Sequence, residues 1–427
     1  MRKVRRIRRT GQGTEETAAR LAAVATSVAA IDTKVELIQA LIPLGLLHVA
    51  ETLQQEVEHL AGARYARDGG EPGVVRYGKQ PGSIYLADQK LGIEVPRVRH
   101  LGENREIPLR SYQQLQQPRA ADRGVLQRIL TGLSCREYER CAEAVPQAFG
   151  LSSSTVSRRF IRASARKLRE LHDRSLKPYD IVAVFLDGKT FADDTMVVAL
   201  GVTITGEKVL LGFVQTSTEN AKTCGEFLRG LIARGLRYDQ GLLVILDGGK
   251  GLHAAVETVF ESAAVFQRCQ WHKRENVMAY LGAGQQTAMR RKLQAAYNQP
   301  TYAQAKAALK QLRSELAAIN LSAVASLDEG LEETLTLHRL GLFAELGASF
   351  KTTNCLESIN GLIEQRTGKI DYWKNSDQKQ RWLASALLDI EPRLRKVRGY
   401  KHLPALRRAL QAHKKDTEQK LKGRKAA

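Results

Sequence analysis

Two short apolar runs stand out in the chain, Ile181-Val182-Ala183-Val184-Phe185-Leu186 and Leu242-Leu243-Val244-Ile245-Leu246, and each ends in Asp-Gly, at Asp187-Gly188 and Asp247-Gly248. Runs of this length, rich in Val and Ile and bounded by Gly or Asp, predict buried strands. Between them, residues 196–203 and 209–214 flank a turn at Thr205-Gly206-Glu207 and predict two further antiparallel strands. Residues 219–234 follow helical spacing, with Phe227, Leu228, Leu231 and Ile232 on one face; residues 252–260 predict a helix and 264–268 a short strand. The predicted order is β-β-β-α-β-α-β. An Asp closing such a strand sits at the carboxyl edge of the sheet, where open α/β sheets place their ligands. Far downstream, Asn354-Cys355-Leu356-Glu357 has the spacing of a capping-box variant, with Asn354 as the cap. Leu356, Ile359 and Ile363 form an apolar stripe on that helix, and Glu357, Asn360, Gly361 and Glu364 a polar one. An apolar back and a polar front suit a helix packed on the sheet with Glu357 facing Asp187 and Asp247.

The rest of the pattern is mostly helical. Residues 14–60 carry apolar rows expected to form a helical hairpin, and the Gly- and Arg-rich stretch 61–82 reads as a linker. Residues 83–109 are strand-like, with a hairpin around 85–95 and an edge strand near 106–109; Arg97, Arg99, His100 and Arg105 are its candidate DNA-facing groups. Within 123–171, Ser134-x-x-Glu137 predicts a helix start, Phe149-Gly150-Leu151-Ser152 a turn, and 153–166 a second helix with Val156, Phe160 and Ile161 inward. That leaves Ser153, Ser154, Thr155, Ser157, Arg158 and Arg159 outward, a composition suited to the recognition helix of a helix-turn-helix in the major groove. Pro146 interrupts the first helix. Residues 274–346 predict an all-α insertion, with Thr301-x-x-Gln304 as another cap and Ala305, Leu309, Leu312 and Leu316 inward. The basic tail beyond Ala412 is expected to be disordered.

Charge changes the picture. Lys and Arg number 66 against 45 Asp and Glu, a formal net charge of +21, which points to a polyanionic partner, foremost nucleic acid. The basic arm of Arg2, Lys3, Arg5, Arg6, Arg8 and Arg9 fits the same partner. The five cysteines are scattered without a Cys-x-x-Cys pair, which excludes a disulfide framework or zinc ribbon and suits a reducing, cytoplasmic setting. No apolar run approaches the ~20 residues of a membrane span.

Asp187-Gly188, Asp247-Gly248-Gly249-Lys250-Gly251-Leu252, Cys269-Gln270-Trp271-His272 and Thr353-Asn354-Cys355-Leu356-Glu357-Ser358-Ile359-Asn360 resemble the motifs of Mutator-type insertion-sequence transposases, DDE enzymes with a ribonuclease-H-like core. The carboxylates are 60 and 110 residues apart (247 − 187 and 357 − 247), which is also similar to that family, and the resemblance runs from about residue 82 to 400. It implies a multidomain α plus α/β chain: a ribonuclease-H-like mixed sheet with an all-α insertion, preceded by a helix-turn-helix region. The expected divisions are 1–82 (arm, helices, linker), 83–120 (small β region), 121–178 (helix-turn-helix), 179–273 and 351–400 (core), 274–350 (insertion) and 401–427 (basic tail). It further implies binding to terminal inverted repeats, end cleavage and joining of the 3′-OH to target DNA, by copies assembled on the DNA ends near the nucleoid. Asp187, Asp247 and Glu357 would then hold two Mg²⁺ or Mn²⁺ ions, Asp187 bridging both.

The rival ligands for those ions are Asp193 and Asp194 beside Asp187, and Glu364 beyond Glu357. Cys269-x-x-His272 resembles half a zinc site with no second half; His272 is expected to touch DNA phosphates or to order the site, and Cys269 equally to be a packed thiol. Trp271 and Trp373 read as core residues rather than base-stacking platforms. Two other functions compete: a catalytically inactive transposase-derived DNA-binding protein, and a ribonuclease-H-type nuclease.

Overall fold

The computed structural model describes residues 48–65, 70–86, 89–117, 119–141, 148–149, 151–191, 193–216 and 220–426. The expected basic arm, most of the expected N-terminal hairpin and Pro146 lie outside the described residues. The chain is mixed α/β and forms two compact units, one reaching to Gln127 and including Leu133–Phe160, the other comprising Arg128–Gly132 and the chain from Ile161 onward. Among the described residues, no helix is long and apolar enough to cross a membrane.

The first unit is built on a small sheet. Strands β1 (Val74–Leu86) and β2 (Gln89–His100) form a long antiparallel hairpin; β3 (Arg105–Ile107) and β4 (Ala148–Phe149) both pair with β2. The stretch that reads as a linker therefore holds the beginning of β1, because Val74 joins Val95, Val98 and Leu109 in a core closed by Leu53 and Val57 of the helix spanning residues 48–61. Residues Phe149 onward, expected as a turn, begin in strand pairing instead. The Ser134 cap is present, with Glu137 N donating to Ser134 Oγ at 3.1 Å, but the helix it introduces is only Tyr138–Cys141. The helix Ser153–Asp173 forms as expected and runs seven residues further than 166.

The second unit centres on a five-stranded sheet of order β7-β6-β5-β8-β9, made of β5 (Ile181–Phe191), β6 (Asp194–Thr203), β7 (Lys208–Thr216), β8 (Leu242–Leu246) and β9 (Ala264–Arg268). The predicted element order is the observed one. β5, β6 and β7 are antiparallel in succession, while β8 pairs parallel with β5 and β9 parallel with β8. Helices cover both faces, so the central strands are apolar on both sides and read as continuous runs. Ile181, Val184 and Leu186 meet the helices Ala221–Ala233 and Lys250–Phe260. Val182 and Phe185 meet the helices Phe343–Phe350, Asn354–Thr367, Ser376–Ile390 and Leu403–Ala426.

Two expectations about this unit change. β5 does not stop at Asp187; the hairpin with β6 carries it on to Phe191. The tail is not disordered from Ala412 but continues the helix Leu403–Ala426, because Leu403, Leu406 and Leu410 are fully buried against the sheet and Arg407 donates to Ile181 O at 2.9 Å. The insertion between β9 and the Glu357 helix is all-α with a core of its own, in which Ala305, Leu309, Leu312 and Leu316 are buried and Thr301 caps its helix through Gln304 N at 3.3 Å.

Candidate active site

The parallel register of β5 and β8 ends at Leu186 opposite Leu246, so Asp187 and Asp247 leave neighbouring strands at the same level. Adjacent strands lie about 4.8 Å apart, which puts the two backbones side by side. Their supports differ. Asp187 stays in the ladder with β6, opposite Val198, and is 8% exposed. Asp247 enters a turn whose next residue, Gly248, has φ +106, a conformation that side chains resist. The turn is closed by Gly249 N, which donates to Asp247 Oδ1 at 3.0 Å, and the buried Arg268 guanidinium occupies the space a Gly248 side chain would need.

Glu357 comes from the helix Asn354–Thr367, which presses Leu356, Ile359 and Ile363 into the same core as Phe185 and Val198. The expected cap is corrected here: Asn354 is the first helical residue and Thr353 the cap, without a capping side-chain bond. The Thr353 hydroxyl is used elsewhere. It donates to Cys269 Sγ at 3.6 Å and lies 3.3 Å from His272 Nδ1, while Thr353 N donates to the same sulfur at 3.4 Å. Cys269 N in turn donates to Leu246 O at 2.8 Å, the residue before Asp247. Cys269 thus ties the end of β8, through its amide, to the start of the Glu357 helix, through its thiol, a role for which sequence spacing supplied the Cys-x-x-His but not the contact with Thr353.

His272 is the cation of the site. Burial opposes its charge, yet contact with Cys269 and the charges of Asp187 and Asp247 raise its pKa to about 9. Its Nε2 is 3.9 Å from Glu357 Oε1, and that buried oxygen has no hydrogen-bond partner. Burial pushes the Cys269 thiol up, but hydrogen bonds from His272 and Thr353 outweigh it and leave the pKa below the ordinary value. Among the described residues, no three His, Cys, Asp or Glu side chains stand close enough together to enclose a metal ion. Two of the three rival carboxylates are committed elsewhere: Asp194 accepts from Lys379 Nζ at 2.6 Å and Glu364 pairs with Lys189 at 3.3 Å.

The candidate DNA-reading residues divide. Ser153, Ser154 and Arg158 are exposed and Thr155 half-buried at the start of their helix. Arg159 is not outward: it is 3% exposed and its Nε donates to the fully buried Asp122 at 3.2 Å. Ile161, expected inward, is 46% exposed. Trp271, expected in the core, is 39% exposed with its ring edge-on to His272 at 4.8 Å.

Residues 14–394 match the model of the transposase family called Mutator. The chain is similar to the transposase for insertion sequence element IS6120 of Mycolicibacterium smegmatis, with 29% identity covering 66% of this chain and 87% of that one. It is 25% identical to the transposase for IS406 of Burkholderia multivorans, over 74% of this chain and 81% of that protein. It is 24% identical to the transposase for IS256 in transposon Tn4001 of Staphylococcus aureus, over 70% and 77% respectively.

Proposed function

From the chain's membership of the Mutator family of transposases, we propose that it is a DNA transposase with a ribonuclease-H-like core. It binds the terminal inverted repeats of a mobile element, cleaves the phosphodiester at its ends and joins the freed 3′-OH to target DNA. The observation that carries this reading is the pairing of Asp187 and Asp247 at one level of the parallel strands, with the start of the Glu357 helix tied to the same corner by the bonds of Thr353 to Cys269 and His272. The strand order, three antiparallel strands followed by two parallel ones on the far side of the first, supports the ribonuclease-H-like assignment.

The donor set fits a hard divalent cation such as Mg²⁺ or Mn²⁺: oxygen ligands only, one of them a buried Glu357 oxygen with no partner. Asp187, Asp247 and Glu357 are the residues that would hold such ions. Such ions, when bound, neutralise charge on the attacking and leaving oxygens and lower the pKa of a bound water. The chain's own work is positioning. The β5–β6 ladder holds Asp187, the Gly249 amide orients Asp247, and Thr353 fixes the N-terminus of the Glu357 helix. His272, protonated at neutral pH, offsets the mutual repulsion of the carboxylates.

Sequence reading is assigned to the exposed start of the Ser153–Asp173 helix, through Ser153, Ser154, Thr155 and Arg158, with Arg159 holding that helix in place. The test is a supercoiled plasmid carrying the element's ends, incubated with the protein and Mg²⁺. Nicks at the element's ends support the reading. Binding of the ends without nicking in Mg²⁺ or Mn²⁺ would instead support an inactive, transposase-derived DNA-binding protein.

A further inference from the structure

A cavity of about 220 Å³ opens next to the carboxylates, between the part of β5 beyond Asp187 and the helix that carries Glu357. Phe191, Met196, Ile363 and Trp373 form its apolar walls. The rings of Phe191 and Trp373 stand 5.1 Å apart and inclined by 57°. Asn360, one helical turn beyond Glu357, adds an amide that can both donate and accept. The Lys189–Glu364 ion pair stands at the rim.

Size and lining narrow the occupant. The space is below the ~300–1,000 Å³ of pockets for larger ligands. That is room for one flat heterocycle. The basic group in the lining, Lys189, is already paired with Glu364, so the deeper apolar walls leave a buried phosphate little to replace its hydration. A nucleobase suits them: its face stacks on an aromatic ring and its edge takes hydrogen bonds from an amide. The placement is also specific. Lys189 lies two residues past Asp187 and Asn360 three past Glu357, so the cavity shares both of its main supports with the carboxylates.

We propose that this cavity receives one base of the element's end, swung out of the duplex beside the phosphodiester to be cut, with Trp373 as its stacking face and Asn360 as its edge contact. The proposal rests on the reading of the chain as an end-cleaving transposase. Extrusion breaks stacking at one step, which frees the backbone there to approach the carboxylates, and the cavity compensates for the lost stacking. Trp373 and Asn360 are binding residues in this scheme; neither touches the reacting atoms.

The experiment is a cycle of protein and DNA changes read by binding alone, using the full-length chain without divalent ions. A set of end duplexes, each lacking one base at a single terminal position, is titrated with the wild type, Trp373→Ala and Ile363→Phe, the last filling the cavity while keeping the Trp ring. Removing one base–aromatic stack should weaken binding of intact ends by roughly five- to hundred-fold in both variants. At one abasic position, and only there, that difference should shrink to about one-fold, because the stacking base is already missing. A penalty that stays the same at every abasic position would assign Trp373 a packing role and overturn the proposal, as would intact ends bound equally by all three proteins. Nicking of intact ends by the wild type is measured alongside. If the wild type neither binds nor nicks its ends, the functional reading fails and the base site falls with it; if it nicks them while the cycle shows no coupling, only the base site is overturned.

Discussion

In the five-stranded sheet, charged groups stand where the apolar pattern stops; in the Ser153–Asp173 helix, one stands inside it. Asp187 and Asp247 follow the last residues of two buried runs, and the His272 imidazolium feels both of their charges and lies 3.9 Å from Glu357. Arg159 is as buried as Asp187, but it meets Asp122 in an ion pair whose side chains are 4% and 0% exposed. A buried charge matched by its counter-ion within one unit is architecture: removing water from both costs free energy that the pair must offset. Carboxylates brought to one corner of the sheet, with a buried Glu357 oxygen that has no hydrogen-bond partner, are poised for an added positive charge. The contrast predicts different consequences for loss of charge in the two places.

The largest effect belongs to the carboxylates. Asp187→Asn, Asp247→Asn and Glu357→Gln should each reduce end nicking by at least about a thousandfold, on the scale of losing several kcal/mol of charge stabilisation, while end binding changes less than about threefold. The melting temperature should hold or rise, since each change relieves repulsion. Nicking and gel-shift assays on the same preparations check this, and substantial nicking by any one variant would remove that residue from the site.

Arg159→Ala should act the opposite way. Taking one member from a buried ion pair should cost about 3–5 kcal/mol of stability, read by thermal or urea unfolding, with DNA binding lost only as the fold is lost. Replacing the pair together, Arg159→Met with Asp122→Leu, should recover most of that stability, because the desolvation cost disappears with both charges. Arg158→Ala, one residue away and exposed, should leave unfolding unchanged and weaken discrimination of the end sequence by ~1–3 kcal/mol if it reads a base. An Arg159→Ala protein that melts like the wild type but binds DNA poorly would return Arg159 to the reading face.

The same contrast explains what the chain's pattern could disclose. Strands covered by helices on both faces must be apolar throughout, so the strands, their order along the chain and the positions of Asp187 and Asp247 are legible. The Glu357 helix was legible for the same reason, through Leu356, Ile359 and Ile363. A helix that buries an arginine breaks the rule that polar means outward, and nothing near Arg159 points to Asp122, 37 residues earlier. The cap was misplaced by one residue because Thr353 and Asn354 are both cap formers, and the contact that assigns the Thr353 hydroxyl to Cys269, 84 residues away, is tertiary. The C-terminal helix was read as a loose tail because its charge outweighs three leucines, Leu403, Leu406 and Leu410, that reach the sheet.

That helix yields the smallest prediction and the finest test of the distinction between charge that builds and charge that binds. Its buried anchors end at Leu410, and beyond them Lys414 makes one contact with the backbone of an exposed loop, Nζ donating to Asp239 O at 2.7 Å. Lys415, Lys420, Lys422, Arg424 and Lys425 follow. Ending the chain at Ala412 should therefore cost no more than about 1 kcal/mol, the worth of a single hydrogen bond. It should flatten the logarithmic salt dependence of DNA binding by about 0.9 for each phosphate that the trimmed chain no longer neutralises, because these cations act through counterion release. Affinity for random DNA and for the element's ends should fall by similar factors, leaving their ratio and the nicking rate at saturation close to unchanged. By contrast, Leu406→Ala, four residues upstream of the last anchor, should cost about 2–5 kcal/mol without altering the salt slope of the protein that remains folded. Salt titrations of both DNAs with the trimmed and full-length chains decide the matter: if trimming erased the preference for the ends, the tail would be part of the reader and the Ser153–Asp173 helix would lose its assigned role.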